Sequence, residues 1–272
     1  MSEQADEMPA VLVIGGTDSS GGAGLSRDLR VLTDCDVLGV PVVTGVTAQT
    51  HAAVHSMHAV PPEVVREQIS AALESNVILA IKIGMLGARA TVEAVARSLP
   101  VNDAVPIVLD PVLVASSGKA LVDDSGREAM RELLLPNVTL LTPNIPEAAA
   151  LLDAAASHGA TATHECVSCE AALHDEATLV DLAQRLRALG PQAVLVKGGH
   201  GSGEHCVDIL SCDDGEIVRL SARRLPVTMR GTGCALASAI AAGLARGLPL
   251  PYACRFGKHY LLNQFQARAA GG

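Results

Sequence analysis

The segment Met229-Arg230-Gly231-Thr232-Gly233-Cys234-Ala235-Leu236 sets two glycines and a cysteine where a turn opens a run of small, helix-compatible residues. The first turn of a helix leaves backbone N–H groups without intrahelical partners, and the helix dipole adds partial positive charge there. An anionic phosphoryl group is stabilised at such a place, and Gly231 and Gly233 let it approach the backbone closely. The same field favours the thiolate of Cys234. One short segment thus combines a cradle for a transferring phosphate with a group able to take a proton, which points to phosphoryl transfer to a small alcohol.

The other residues with chemical potential follow short β-rich runs. Gly15 to Gly24 follows Val11 to Ile14, Thr47-Ala48-Gln49 follows Val40 to Val46, and Gly84-Met85-Leu86-Gly87 follows Ile78 to Ile83. Asp110-Pro111-Val112 follows Ile107 to Leu109, Thr142 to Glu147 follows Val138 to Leu141, and Lys197-Gly198-Gly199-His200 follows Ala193 to Val196. These runs are apolar on both faces and alternate with helical patterns at Leu25–Leu32, Glu63–Leu73, Thr91–Ser98, Ser125–Leu134, Ile145–Leu152 and Thr178–Leu189. That alternation predicts a mainly parallel sheet covered by helices on both sides. Cys206–Leu210 and Ile217–Leu220 read as a hairpin at the sheet edge, before two closing helices from Thr232 and Pro251. In open α/β sheets ligands bind beyond the carboxyl ends of the strands, where all six polar loops fall.

Composition narrows the class further. At 272 residues the chain can bury one sizeable core, and it is read as a single domain over residues 1–272, with Ala154 to Glu176 as an inserted loop. Hydrophobic residues make up 49% and charged residues 18%, which excludes wholesale disorder, and no apolar run reaches a membrane span. A formal charge of −9 with no basic block disfavours nucleic acid and anionic membranes as partners. The polar, acidic start Met1 to Glu7 does not read as a signal peptide, so a cytoplasmic location is expected. Seven scattered cysteines fit free thiols in a reducing compartment. With no Trp, two Tyr and two Phe, the core must be aliphatic.

Each motif also has a plainer reading. The first glycine loop lacks G-x-G-x-x-G, which argues against a dinucleotide-dependent oxidoreductase, and no Lys follows it as a phosphate loop requires. Asp28, one turn into the next helix, is placed to point back toward the pocket. Asn144 and Glu147 share a helix face and suit a hydrated Mg²⁺, but the same spacing makes a capping box. Asp110 can be a turn residue and Lys197 a strand-end charge; their shared sheet edge is what favours function. Cys166-Val167-Ser168-Cys169 has metal-like spacing, yet no second cysteine pair matches it.

Taken together, Gly16 to Gly24, Lys82 to Leu86, Leu141 to Ala148, Lys197 to His200 and Gly231 to Cys234 resemble the hydroxymethylpyrimidine and phosphomethylpyrimidine kinases of thiamine biosynthesis, in order, from about Val11 to about Gly247. The resemblance implies a ribokinase-like three-layer α/β/α sandwich and a homodimer. It implies phosphorylation of 4-amino-5-hydroxymethyl-2-methylpyrimidine with ATP and Mg²⁺, first to the monophosphate and then to the diphosphate. It puts Asp28, Gln49, Met85, Val112 and Gly16 on the pyrimidine. It puts Asn144, Glu147, Lys197 and Asp110 on the nucleotide side, with Glu147 and Asp110 toward the metal. Gly231, Thr232, Gly233 and Cys234 become the anion hole and catalytic base. The carboxamide of Gln49 offers the donor–acceptor pair complementary to an aminopyrimidine edge, and Asp28 is expected to accept from the amino group. A free thiol titrates at about 8.5, and the helix end is expected to bring Cys234 nearer neutrality.

Three departures stand out. Arg230 stands where the family commonly has His, which adds charge beside the anion hole. The glycine-rich ending of many relatives is absent at Ala269-Ala270-Gly271-Gly272, and the insertion from Ala154 is longer than usual. A pyridoxal kinase is the nearest alternative enzyme. A non-catalytic pyrimidine-binding homologue is the alternative from another class, although such a protein has no need of Asp110, Asn144, Glu147, Lys197 and Cys234 together.

Overall fold

The computed structural model describes residues 8–100, 105–115, 118–153, 175–199 and 203–271. Its strands are β1 (Ala10–Asp18), β2 (Leu38–Gln49), β3 (Val54–Ala59), β4 (Ile78–Ile83), β5 (Ile107–Leu109), β6 (Leu140–Leu141), β7 (Ala193–Lys197), β8 (His205–Ser211) and β9 (Ile217–Arg223). They form one sheet in the order β3-β2-β1-β4-β5-β6-β7-β8-β9. The pairs from β2 through β7 are parallel, whereas β3 and the β8–β9 hairpin are antiparallel at the two edges.

The helices are α1 (Gly24–Asp34), α2 (Pro62–Ser75), α3 (Arg89–Ser98), α4 (Asp124–Ala129), α5 (Ile145–Asp153), α6 (Glu176–Arg187), α7 (Thr232–Ala245) and α8 (Leu250–Ala270). Alternate residues along each central strand feed opposite layers, as the pleat requires. Leu12, Ile14, Ile81 and Ile83 pack with α2 to α6, while Val11, Val13, Ala80 and Val108 pack with α1, α7 and α8. The three-layer α/β/α arrangement follows directly. Helix α7 is buried nearly all round, because Ala, Gly and Ser leave room for α1 and α8 to close on it. No helix among the described residues is long and apolar enough to cross a membrane.

Two elements differ from the sequence expectation in ways that matter for the site. Gly15 to Asp18 continue β1 past a register shift between Gly15 and Gly16, so only Ser19 to Ala23 form the loop. Gln49 is the last residue of β2 and not part of a loop, because β2 runs on into a ribbon with the unforeseen β3. Between α4 and β6, Met130–Leu134 widens into a π-turn and Leu135–Asn137 tightens into a 3₁₀ turn, where Pro136 cannot continue an α-helix. The inserted segment, with Cys166 and Cys169, lies outside the described residues except for Asp175 and Glu176.

Candidate active site

The carboxyl ends of the parallel strands and the start of α7 enclose a cavity of about 810 Å³. Gly16, Asp28, Gln49, Met85, Asp110, Val112, Asn144, Glu147, Lys197 and the Gly231–Cys234 turn all line it, so the structure gathers every expected site residue at one sheet edge.

The turn before α7 is fixed by glycine for a steric reason. Gly231 has φ 67° and a Cβ there would lie 2.3 Å from the Gly22 carbonyl oxygen, so a side chain is excluded by both conformation and space. The first turn of α7 then meets charge: a Cβ on Gly233 would stand 3.1 Å from Lys197 Nζ and 3.5 Å from Asp110 Oδ2. Lys197 Nζ donates to Asp110 Oδ1 at 2.8 Å and lies 3.8 Å from Glu147 Oε2. Burial opposes the Lys197 charge, but these two carboxylates outweigh it and hold the ammonium above its ordinary range. Burial pushes the Glu147 carboxyl up to about 7, against the pull of Lys197 and with the help of Asp110.

Asn144 and Glu147 do form a capping box. The Asn144 amide donates to Glu147 Oε2 at 2.7 Å and the Glu147 amide to Asn144 Oδ1 at 2.8 Å. The cap and the site are the same residues: the box fixes the entry to α5 and holds Glu147 against Lys197. Asp110 and Glu147 are hard oxygen donors on one wall, and Asp110 Oδ2 faces the α7 turn. That donor set suits Mg²⁺ beside phosphates.

Beneath the α7 turn lies a buried network that corrects one expectation. Asp28 is fully buried, with Lys82 Nζ donating to Oδ2 at 2.9 Å and Ser238 Oγ to Oδ1 at 2.8 Å. Each carboxylate oxygen already accepts one hydrogen bond, so Asp28 reaches the cavity wall engaged with Lys82 and Ser238. Burial raises the Asp28 carboxyl and the two donors oppose it; for Lys82, the Asp28 charge overcomes desolvation and keeps the ammonium protonated. The correction concerns Cys234. Burial pushes its thiol up to about 12, with Asp28 and Asp110 adding to the rise, and neither Lys82 nor the Gly24 amide cancels it. The helix end alone promised a thiolate; desolvation and two carboxylates reverse the sign.

At the other end, Ser19 Oγ donates to the Gln49 carbonyl and accepts from the Gln49 amide, both at 2.8 Å, which fixes where the carboxamide begins. Met85 lies across β1 and β2: a Cβ on Gly16 would sit 2.1 Å from its methyl group, so a side chain there would displace the end of the thioether. Thr44 Oγ1 donates to the Met85 carbonyl at 2.6 Å. Among the polar groups lining the cavity that were not foreseen as site residues are Lys82, Asp208 and Asp18. Lys82 is signalled by a lone charge in the apolar run Ile78 to Ile83. Asp208 accepts from the Gly198 amide at 2.9 Å and from Lys258 Nζ at 2.6 Å, tying α8 to β8. Asp18 Oδ1 accepts from the Ser20 amide and hydroxyl; although burial opposes it, these donors and Arg230 hold the carboxyl below its ordinary value.

A three-layer sandwich with a glycine-opened helix start facing a lysine between two carboxylates has the architecture of a ribokinase-like small-molecule kinase. The model of the phosphomethylpyrimidine kinase family matches residues 18–272. A hydroxymethylpyrimidine/phosphomethylpyrimidine kinase of Streptomyces coelicolor is 38% identical over 260 residues, covering 95% of this chain and 89% of the relative. Among solved structures, phosphomethylpyrimidine kinase of Clostridium difficile superposes with a TM-score of 0.75 at 29% identity, covering 94% of this chain and 98% of that one. Pyridoxal kinase of Staphylococcus aureus in complex with ADP superposes at 0.79 with 26% identity, covering 94% and 87%. The chain belongs to the phosphomethylpyrimidine kinase family.

Proposed function

We propose that this chain, working as one kinase domain, phosphorylates the hydroxymethyl group of 4-amino-5-hydroxymethyl-2-methylpyrimidine and then its monophosphate, with ATP as donor. The observation that carries the reading is the convergence of the α7 turn, Lys197 and Asp110 on one point, with Gln49, Met85 and Val112 lining the same cavity.

Gln49 pairs with the aminopyrimidine edge, while Met85 and Val112 cover the ring faces without an aromatic. The amides of Gly231 to Cys234 receive the γ-phosphoryl group at the start of α7, where the helix dipole favours its charge. Lys197 brings positive charge to the same point. Asp110 and Glu147 would hold Mg²⁺, which supplies neutralisation of phosphate charge when bound. Alignment and charge stabilisation account for most of the rate in such transfers. Cys234 takes the hydroxymethyl proton through the small fraction of thiolate present at neutral pH. The apolar side chains Leu261, Leu262 and Phe265 of α8 line the cavity wall beyond Lys258, where a nucleotide base is accommodated.

A homodimer in the cytoplasm completes the reading. Val46 and Met57 are exposed on the β2–β3 ribbon, which supports a subunit contact there, and the described cysteines are free thiols, which suits a reducing compartment. Pyrimidine-dependent ADP formation by the purified chain, with products resolved by mass, tests the activity. Silence from folded protein that binds ATP would point instead to a non-catalytic pyrimidine-binding homologue.

A further inference from the structure

The cavity's three lysines each have a carboxylate oxygen within hydrogen-bond distance: Lys82 on Asp28, Lys197 on Asp110 and Lys258 on Asp208. Arg230, directly before the anion-hole turn, does not. Its Nη1 donates to Ser20 Oγ at 3.1 Å and to the Thr50 carbonyl at 3.1 Å, and lies 3.2 Å from His51 Nδ1. Its nearest recorded carboxylate contact is Asp18 Oδ2 at 3.8 Å, and its Nε is buried without a partner. The Arg230 carbonyl accepts from Arg27 Nη2 at 3.1 Å, so the backbone is anchored while the guanidinium hydrogen-bonds neutral oxygens, lies beside an imidazole and faces the Asp18 carboxylate at 3.8 Å. The side chain is 22% exposed and lines the cavity.

A guanidinium with no carboxylate oxygen within hydrogen-bond distance and only Asp18 at 3.8 Å, beside the point where a substrate oxygen meets the γ-phosphoryl group, matches an anion carried by the substrate itself. The alcohol is neutral at this position; its monophosphate is an anion. Resting on this functional reading, we propose that Arg230 is the specificity residue for the phosphorylated substrate: its guanidinium leaves Thr50 and His51 to pair with the monophosphate, and so selects the substrate of the second transfer. Arginine suits this role because its planar fork can hold two phosphate oxygens at once. It also stands between that phosphate and the Asp18 carboxylate, which would otherwise repel it.

The test is the kcat/KM for the pyrimidine alcohol and for its monophosphate at saturating MgATP, in the wild-type chain, Arg230→Met and Arg230→Lys. The ratio of monophosphate to alcohol kcat/KM should fall by about tenfold or more in Arg230→Met, the size of a lost charge-assisted pair. The loss should sit mainly in the KM of the monophosphate, and Arg230→Lys should recover part of it. If Arg230→Met does not fold, Arg230→Lys decides, with a smaller fall in the same ratio expected. Equal losses with both substrates would overturn the proposal and make Arg230 a strap between loops; an unchanged ratio would overturn it as well. Absence of turnover with either pyrimidine in the wild-type chain would instead reject the functional reading beneath it.

Discussion

At the residue scale, Cys234 shows how a local rule and its surroundings compete. A helix N-terminus lowers a thiol pKa by partial charge, but burial beside Asp28 and Asp110 costs the anion more, and the thiol rises to about 12. A base must be deprotonated to act, and below its pKa the active fraction grows tenfold per pH unit. With Cys234 as base, kcat/KM for the pyrimidine therefore climbs with unit slope from pH 7 to pH 9; a plateau below pH 8 would assign the proton elsewhere. Cys234→Ala should lower kcat more than it weakens pyrimidine binding, and near-wild-type turnover in that variant would remove the role. Lys82 carries a different expectation. Substituting Lys82→Met leaves the Asp28 carboxylate buried without its ion partner, a loss of about 3–5 kcal/mol in denaturant unfolding. Neither outcome was legible in the sequence, where Cys234 and Asp28 were recognised by position but their dielectric surroundings depend on packing between α1, β4 and α7.

At the scale of elements, the turn into α7 is the most constrained piece of backbone in the site. Gly231→Ala must place a Cβ 2.3 Å from the Gly22 carbonyl oxygen at φ 67°, so the α7 turn and the Ser19–Ala23 loop have to part. The left-handed conformation alone costs an alanine about 1–2 kcal/mol, and the expected result is a lowered Tm with a kcat loss larger than that Tm change explains. Elements with a strong apolar period were readable in advance: the parallel strands, α1, α3, α6 and the β8–β9 hairpin sit within a few residues of expectation. Strand β3 was not. Its sequence Val54-His-Ser-Met-His-Ala59 is exposed at most positions, and an edge strand that buries little carries no alternating signal. Missing it also misplaced Gln49, which β3 holds in the sheet by pairing across the ribbon.

For the whole molecule, the cavity is built from strand ends and from residues of α1, α5, α7 and α8, distant in sequence, so ligands should report on global stability. A ligand at 100 times its Kd adds about 2.7 kcal/mol to the native state. Saturating MgATP should therefore raise the Tm by several degrees, and Lys197→Met should abolish most of that shift without removing the response to pyrimidine. Convergence of Asp110, Asn144, Glu147 and Lys197 was foreseeable because loops after parallel strands must share an edge. The Asp208–Lys258 tie was not, since it joins a hairpin strand to the last helix and no periodicity links them.

The central claim is that this edge transfers phosphate to an aminopyrimidine alcohol in preference to a pyridine. Its most direct test is a side-by-side measurement of kcat/KM for hydroxymethylpyrimidine, its monophosphate and pyridoxal, with MgATP and purified protein. Turnover of both pyrimidines, each with kcat/KM well above that of pyridoxal, is the result predicted here. Turnover of pyridoxal alone would contradict it and make the Gln49 end of the cavity a vitamin B6 site.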